Sequence, residues 1–324
     1  MIRRLLVCES SGFDPYENLA REELLLSRAG DCCVLYLWQN ENTVVIGRNQ
    51  NPWKECRTGL LEEEGGHLAR RLSGGGAVFH DRGNLNFTFL MPEEDFDLRR
   101  QTEVLAQALK TRNIPVEVSG RNDLLAGGRK CSGSAYYHHN GRAYHHGTLL
   151  VETDLEKLSR YLQPSPAKLR AKGVDSVRAR VGNLRELEPE LTVEGLKDAL
   201  KEAFTAVYGL RSERLEPTAL AGKAMDELSG RYRSWDWNYG RRLPFDLAWE
   251  TRFDWGELRL ELGVEGGIVS RAAVSTDAMD WTLAPRIEAA LQGCPLEHGA
   301  LRKRLLVALP ETGEELFCRL AEQL

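Results

Sequence analysis

The chain has 324 residues, of which 42% are hydrophobic and 28% charged, with a formal net charge of −5. This length allows about two domains, each with its own core, and the charge excludes the broadly basic surface of a nucleic-acid-binding protein. No apolar run is long enough to span a bilayer, and the N-terminus becomes polar too soon for a signal peptide. The seven cysteines include no C-x-x-C pair, so we expect a cytoplasmic protein without a zinc site or a disulfide framework.

The first third of the chain alternates helical and strand patterns. A helix is predicted over 15–28, behind the cap Asp14, and strands over 32–38 and 42–48. A second helix is predicted from Asn51 to the glycines at 65–66, followed by a strand over 67–73. The runs AVFH and NLNFTFLM alternate like two strands that pair around the turn DRGN, and a further helix is predicted over 103–113.

The remainder contains more strands and then a change of composition. Residues 116–152 are strand-rich, with turns at Gly127-Gly128 and Asn140-Gly141, and helices are predicted over 154–162 and 193–209. Aromatic residues and Pro244 then precede a hairpin over 257–277 and helices over 285–293 and 314–324. We therefore predict two domains, covering residues 1–244 and 245–324.

Three consecutive glycines, Gly74 to Gly76, follow the strand that contains Arg70 and Arg71. Glycines without side chains let backbone N–H groups approach an anion closely. No Gly-Lys-Ser/Thr follows, as in a P-loop, and no G-x-G-x-x-G leads into a helix, as in a dinucleotide-binding fold. The two arginines should point to opposite faces of the strand, so only one reaches the glycines. A tight turn without a ligand is the alternative, but the flanking arginine and His80-Asp81 favour a site.

Lys130 follows a Gly-Gly turn, beside the small residues Ser132 and Gly133. Such a lysine is usually solvated. If it faces a pocket, its ammonium can bind a carboxylate and stabilise negative charge that develops on a phosphoryl group.

Two further clusters have side chains suited to ligand binding. Histidines occur in adjacent pairs at 138–139 and 145–146. Adjacent strand residues face opposite ways, so chelation of a metal is not expected, and one imidazole of each pair should face inward and the other the surface. The basic stretch 167–183 is either a solvated face or a loop that closes over a nucleotide.

Several stretches resemble the ATP-dependent lipoate–protein ligases. They are DPYENLAREE, TVVIGRNQNPWKEC, ARRLSGGGAVFHDRGNLNFTF, SGRNDLL, RKCSGSAY, HHGTLL and AKGVDSVRARVGNL. The resemblance continues into RSWDWNYG and LQGC and thus covers nearly the whole chain. It implies an α/β fold with mixed sheets, in which a biotin/lipoate ligase-like catalytic domain is followed by a small C-terminal α/β domain.

The resemblance also implies a reaction and its partners. Lipoate is activated by ATP, with Mg²⁺, to lipoyl-AMP, and the lipoyl group passes to a lysine of a lipoyl domain. The implied acceptors are the E2 subunits of 2-oxoacid dehydrogenases and the glycine cleavage H protein, modified by a monomeric ligase. Whether octanoate is also accepted stays open.

The site residues follow by the same resemblance. Lys130 is implied as the catalytic residue, in contact with both the lipoyl carbonyl and the phosphate. A loop at 171–178 is implied to order over the adenine, and no metal ligand from the protein is assigned. The residues implied to bind ATP or the adenylate are Arg71, Gly76, Ala77, Val78, Phe79, Lys130 and Arg178, and those implied to bind lipoate are Gly75, His80 and Lys130.

The main alternative is an octanoyl or lipoyl transferase of the same fold, which works without ATP through a cysteine thioester. Cys131 adjoins the predicted site and is the candidate nucleophile, although a small thiol also serves as a packing residue. The C-terminal domain and the basic loop favour the ligase. An inactive carrier would be expected to lack Lys130 or the glycine run, and the glycine run of biotin ligases reads differently.

Overall fold

A computed structural model describes residues 2–119, 123–163, 181–239, 247–265, 267–295 and 298–321. Arg178, the loop 171–178 and the predicted domain boundary between residues 244 and 245 lie outside these ranges. No helix among the described residues has the length and apolar character needed to cross a membrane.

The described strands are, in chain order, β1 (Arg4–Glu9), β2 (Cys32–Trp38), β3 (Thr43–Ile46), β4 (His67–Arg70), β5 (Val78–His80), β6 (Asn84–Pro92), β7 (Glu117–Ser119), β8 (Asp123–Ala126), β9 (Arg129–His139), β10 (Arg142–Leu150), β11 (Ser212–Leu215), β12 (Leu247–Phe253), β13 (Gly256–Glu265) and β14 (Ile268–Thr276).

The described α-helices are α1 (Pro15–Arg28), α2 (Pro52–Glu55), α3 (Thr58–Glu63), α4 (Leu98–Lys110), α5 (Leu155–Tyr161), α6 (Val193–Tyr208), α7 (Lys223–Arg233), α8 (Trp235–Tyr239), α9 (Leu283–Leu291), α10 (His298–Ala308) and α11 (Gly313–Ala321). Short 3₁₀ turns cover Glu93–Asp95, Leu184–Glu186 and Pro217–Leu220.

An eight-stranded mixed sheet forms the centre of the protein, in the order β11-β1-β2-β6-β10-β9-β8-β7. β1 is parallel to β11 and β2, and β6 is antiparallel to both β2 and β10. One face packs on α4 and α6, the other on α1 and α7. Because both faces are covered, β2 is buried along its whole length and consists of apolar residues only. This architecture confirms the predicted α/β class with mixed sheets.

The predicted pairing of AVFH with NLNFTFLM is wrong. β5 belongs to a separate three-stranded sheet, in the order β4-β3-β5, where it pairs with β3. β6 already has β2 on one edge and β10 on the other, so neither of its edges is available to β5. The turn between β5 and β6 therefore carries the chain from one sheet to another, and Phe79 packs in the core of the smaller sheet.

The helix predicted from Asn51 to the glycines at 65–66 is divided into α2 and α3. Cys56 forms a β-bridge with Leu162, and the N–H of Arg57 donates to the carbonyl of Tyr161 at 2.9 Å. These long-range hydrogen bonds replace the helical ones at the break, which is tertiary structure overriding local propensity. Two other predicted boundaries also differ: β4 ends at Arg70 instead of residue 73, and α4 begins at Leu98 behind the cap Asp97.

Other local predictions are confirmed. α1 begins at Pro15, and the Asp14 carboxylate accepts hydrogen bonds from the N–H groups of Tyr16 and Glu17. Gly127, Gly128 and Asn140 have positive φ at the predicted turns. β13 and β14 form the predicted C-terminal hairpin, and with β12 they pack on α9, α10 and α11 around a core of their own. α10 is an addition that the sequence analysis did not include.

Candidate active site

A cavity of about 370 Å³ opens on the α1 face of the large sheet, where the smaller β4-β3-β5 sheet approaches it. It brings together seven of the predicted site residues: Arg71, Gly75, Gly76, Ala77, Val78, His80 and Lys130. The side chain of Phe79, predicted with them, instead packs against Tyr161 in the core beneath β5. Arg178 lies outside the described residues.

The guanidinium of Arg71 holds the glycine run in a curve. Its Nη2 donates to the carbonyls of Gly74 at 2.6 Å and Gly76 at 2.8 Å, and its Nε donates to Ser73 Oγ at 3.0 Å. Burial lowers the pKa of Arg71 to about 10, which still leaves it protonated near neutral pH. Arg70 points the other way and donates to the carbonyls of Trp237 and Asn238. The two arginines thus separate as their positions in one strand predict.

The glycines also allow a close approach that the sequence did not suggest. A Cβ on Gly74 would lie 2.3 Å from the carbonyl oxygen of Ala278, in the C-terminal part of the chain. Gly75 has a φ of +86° and donates its N–H to the same oxygen at 2.9 Å. The expected ligand of this N–H was an anion. In this arrangement its acceptor is a backbone carbonyl that follows β14.

Lys130 faces the cavity and is paired with a carboxylate. Its Nζ lies 2.8 Å from Asp123 Oδ1, and both side chains are largely buried. A Cβ at position 133 would lie 2.6 Å from the same Nζ, so Gly133 is required for this lysine conformation. The pair places a cation and an anion side by side on the wall of the cavity that the glycine run also lines.

His80 presents an unpaired ring nitrogen. The Oδ1 atom of Asn40 accepts a hydrogen bond from Asn18 Nδ2 at 3.0 Å, so its amide nitrogen Nδ2 is the atom that faces His80 Nδ1, at 3.1 Å. Nδ1 is therefore the acceptor, and Nε2 carries the proton. Nε2 is buried and has no hydrogen-bond partner in the described structure. Burial, with smaller contributions from Arg71 and His146, lowers the pKa of His80 to about 3, so the ring is a neutral donor.

The prediction that one histidine of each pair faces inward is wrong for the pair 145–146 and holds in part for the pair 138–139. His138 is half-buried, packs on Phe96 and has Nδ1 3.1 Å from Glu93 Oε1, whereas His139 is exposed. His145 and His146 are both buried, on opposite faces of β10. The side chains of His145 and His146 do point to opposite faces of β10. Because helices cover both faces of the sheet, neither imidazole reaches the surface. No cluster of three or more metal-ligating side chains occurs among the described residues.

Cys131 faces away from the cavity. Its side chain is in the core formed with α4 and α6, and its Sγ donates to the carbonyl of Leu124 at 3.4 Å. Burial raises the pKa of this thiol to about 12, so it is not a ready nucleophile. None of the seven cysteines lines the cavity.

The sequence analysis missed several lining residues. Apolar residues at separate positions form one wall, and they carry no motif of their own. Asp123 lies within the quoted SGRNDLL stretch but was not singled out. Residues of the C-terminal part were unpredictable, because no local signal shows which distant segment meets the glycines. Gly133, noted in the sequence as a small residue beside Lys130, does line the cavity, and the missed residues are Leu19, Trp38, Val45, Asn86, Asp123, Ser134, Ala135, His146, Gly147, Thr148, Arg252, Asp254, Trp255, Gly256, Asp277 and Met279.

The fold and the cavity define an α/β protein with a small-molecule site that is lined by a glycine run and by the cations Arg71, Lys130 and Arg252. Residues 14–205 match the family described as lipoyl protein ligase A/B catalytic domain, and residues 243–311 match the bacterial lipoate protein ligase C-terminus. The first match covers more than half of the chain, so the chain belongs to the lipoyl protein ligase A/B family. The family membership predicted from the sequence is confirmed.

Solved structures agree with this assignment. P. falciparum LipL1 in complex with lipoate is 26% identical, with a TM-score of 0.86 over 98% of this chain and 99% of that one. A lipoate-protein ligase A bound with ATP is 26% identical, with a TM-score of 0.62 over 74% and 99%. A bipartite lipoate protein ligase from Thermoplasma acidophilum, studied with its E2 lipoyl domain, is 26% identical, with a TM-score of 0.64 over 76% and 100%.

Proposed function

We propose that this protein activates lipoate with ATP to form lipoyl-AMP and then transfers the lipoyl group to a lysine of a lipoyl domain. The observation that carries the proposal is the cavity itself, which Arg71 and its glycine run line together with the Lys130–Asp123 pair. The similar structures with lipoate and with ATP support both substrates, and the one studied with an E2 lipoyl domain supports the acceptor class. We propose E2 lipoyl domains and the glycine cleavage H protein as acceptors.

In the first step, a carboxylate oxygen of lipoate attacks the α-phosphorus of ATP, and pyrophosphate leaves. Negative charge builds on the non-bridging phosphate oxygens. The ammonium of Lys130 faces this space and stabilises that charge, while the N–H groups of Gly76 to Val78 offer further donors.

A magnesium ion would accompany ATP at this site. It would be held by the substrate phosphates and one or two carboxylates and would supply positive charge near the phosphates. Carboxylates suited to that role line the cavity at Asp123, Asp254 and Asp277. The chemistry of these donors fits a magnesium ion bound mainly through the nucleotide. Asp123, beside Lys130, is the one we propose to hold it.

In the second step, the neutral ε-amine of the acceptor lysine attacks the acyl carbonyl, and AMP leaves with the bridging oxygen. Lys130 stabilises the carbonyl oxygen as it gains charge. It does not act as a nucleophile, because a protonated amine has no free electron pair. The same side chain therefore serves both steps through electrostatics.

The apolar part of the cavity lining suits the acyl chain. Leu19, Trp38 and Val45 form this part, and His80 is also a lining residue, with its Nε2 buried. Apolar walls with a few placed polar groups are typical of small-molecule sites. We therefore propose that the dithiolane lies against this wall and the carboxylate lies near Lys130.

The cysteine-thioester transferase is disfavoured by the position of Cys131. Its thiol faces the core of the other face of the sheet, and its raised pKa opposes thiolate formation. A transferase of this kind needs a thiolate that can reach the acyl carbonyl. We also retain two proposals that the described residues do not test: a catalytic domain over 1–244 with an accessory domain over 245–324, and closure of the loop 171–178 with Arg178 over the adenine.

The test is acylation of an apo E2 lipoyl domain, followed by mass spectrometry. We expect the lipoyl mass increment only when lipoate, ATP and Mg²⁺ are all present. A lipoyl domain whose acceptor lysine is replaced by arginine is the matched control and should stay unmodified. Acylation from an octanoyl or lipoyl thioester without ATP, lost in Cys131→Ala, would establish the transferase instead.

A further inference from the structure

A buried carboxylate lies behind the cavity wall. Glu22, on α1, is 2% exposed and is not itself a lining residue. Its Oε1 is 2.7 Å from Thr88 Oγ1 and 2.9 Å from His146 Nδ1. A buried carboxylate is costly unless it is well hydrogen-bonded, so this placement calls for a physical explanation.

Two series of hydrogen bonds run from the cavity wall to Glu22. In the first, Arg71 Nε donates to Ser73 Oγ at 3.0 Å, and Ser73 Oγ lies 2.8 Å from His146 Nε2. In the second, Trp38 Nε1 donates to Thr88 Oγ1 at 3.0 Å. The outer members, Arg71, His146 and Trp38, all line the cavity.

The chemistry of the end groups fixes the direction of the Trp38 series. Arginine and the indole nitrogen can only donate. Thr88 therefore accepts from Trp38 and donates to Glu22. In the Arg71 series, Ser73 accepts from Arg71, and its hydroxyl has two neighbours, His146 Nε2 at 2.8 Å and the carbonyl of Gly74 at 3.4 Å. In either arrangement His146 Nδ1 carries the proton that it donates to the Glu22 carboxylate. Both series end on an oxygen that accepts twice, as a carboxylate does.

The charge of Glu22 also matters to Arg71. The guanidinium is buried, and the hydrogen-bond acceptors described above are neutral carbonyls and a hydroxyl. Burial disfavours its charged form, whereas the negative charge of Glu22 favours it. Ser73 and His146 thus connect the buried guanidinium of Arg71 to the buried carboxylate of Glu22, whose negative charge stabilises the charged form of Arg71.

We propose that Glu22 is a positioning residue for the reaction: through its two hydrogen-bond series it sets the orientations of Arg71, His146 and Trp38, and thereby the position of the acyl substrate relative to Lys130. This inference rests on the proposed function. Its two branches have separable roles. The Trp38 branch shapes the wall against which the acyl chain lies, and the Arg71 branch shapes the glycine run that faces the phosphate.

The next residue of α1 offers a matched control. Glu23 accepts from Tyr232 Oη at 2.6 Å and pairs with Arg231, both on α7. It belongs to the same helix and is also hydrogen-bonded to two side chains, but neither of these partners lines the cavity. Glu23→Gln therefore makes the same chemical change without touching either series.

The test measures KM for lipoate and kcat in lipoate-dependent exchange of pyrophosphate into ATP, together with the melting temperature. Glu22→Gln keeps an amide oxygen at the same place but removes the charge. We expect kcat/KM to fall on the order of a hundredfold, since small misplacements at a reacting centre have effects of this size. Glu23→Gln should leave KM for lipoate and kcat within about twofold of the wild-type values.

Single-branch variants distinguish positioning from structure. Thr88→Val should raise KM for lipoate with little change in kcat, and Ser73→Ala should lower kcat with little change in KM. If these residues served only to stabilise the fold, each variant would have a lower melting temperature and a smaller active fraction. The apparent kcat would then fall, and KM would stay constant in every variant. That result, or wild-type constants in Glu22→Gln, overturns the inference.

The proposed function can fail separately. If wild-type protein shows no lipoate-dependent exchange, the ligase proposal fails, and calorimetric affinity for lipoate decides the inference. A loss of affinity of about tenfold in Glu22→Gln but not in Glu23→Gln supports the positioning role. Equal affinities in the two variants and the wild type contradict it.

Discussion

The two faces of strands β9 and β10 hold their polar side chains in different environments, although neighbouring residues of the same strands supply both faces. On the cavity face, Lys130 pairs with Asp123, and His146 hydrogen-bonds to Ser73 and Glu22. On the opposite face, the neighbouring Cys131 and His145 lie in a core formed with α4 and α6, and His145 lies between Phe87 and Phe89. Neither ring nitrogen of His145 has a hydrogen-bond partner in the described structure.

This difference shows that adjacent polar residues in one strand can have unrelated roles. The cavity face holds its polar groups in defined hydrogen bonds and so fixes their orientation. The other face tolerates them only in their neutral forms: burial lowers the pKa of His145 to about 3 and raises that of Cys131 to about 12. Changes on the first face should therefore alter catalysis, and changes on the second should alter stability.

The largest effect is expected on the cavity face, from Lys130→Ala. Loss of a single donor to a developing charge typically lowers the rate by about a hundredfold to a thousandfold. Both lipoyl-AMP formation and transfer from supplied lipoyl-AMP should slow in folded protein, with some loss of melting temperature because Asp123 loses its buried partner. Lys130→Arg should restore only part, because a planar guanidinium does not replace a compact ammonium.

Lys201→Ala is the control for this change. Lys201 is likewise paired with a carboxylate, Glu9, at 2.9 Å, but it lies on α6 behind the sheet. Its removal should leave both half-reactions unchanged. Near-normal turnover in Lys130→Ala would show that this lysine has no catalytic role.

The next effect concerns His145 and the pH dependence of stability. Its pKa in the folded protein is about 3, below the ordinary value of 6.5 in the unfolded chain. The folded state thus binds fewer protons, so the contribution of His145 is complete above pH 6.5 and is lost as the pH falls below it. At pH 5 the loss is roughly 2 kcal/mol.

His145→Phe should remove this share of the acid sensitivity. Denaturant unfolding at pH 8 and at pH 5 measures the difference between the two proteins. Between pH 8 and pH 5, wild type should lose more free energy of unfolding than the variant. His80, whose pKa is also lowered, is present in both proteins and contributes equally to both. An identical pH dependence in the two proteins would mean that His145 titrates normally when folded.

The smallest effect is expected from Cys131→Ala. The change removes one buried sulfur from the core behind the sheet, which should lower the free energy of unfolding by about 1 kcal/mol. Ligase activity should remain close to wild type, because the thiol faces away from the cavity. Denaturant unfolding and the acylation assay check the two halves of this expectation. Full loss of activity in a folded variant would contradict it.

Local signals in the sequence were sufficient for most elements and for part of the site. Asp14-Pro15 and the glycine and asparagine turns specify their structures through backbone chemistry, and the motif residues Arg71 and Lys130 do meet at one cavity. The predictions that failed depend on long-range contacts. Nothing local shows that both edges of β6 are occupied, or that Leu162 interrupts the helix at Cys56. The hydrogen bond between Gly75 and Ala278 is another such long-range contact, because about two hundred residues separate the two in the chain.

The most direct test of the proposed ligase reaction is exchange of labelled pyrophosphate into ATP, measured with and without lipoate in the absence of any acceptor. The reaction is the reverse of adenylation and requires lipoyl-AMP to form in the cavity. We expect exchange in wild type only when lipoate and Mg²⁺ are present, and a loss of at least about a hundredfold in Lys130→Ala. Absence of exchange in wild type, together with acylation of a lipoyl domain from a thioester without ATP, would contradict it.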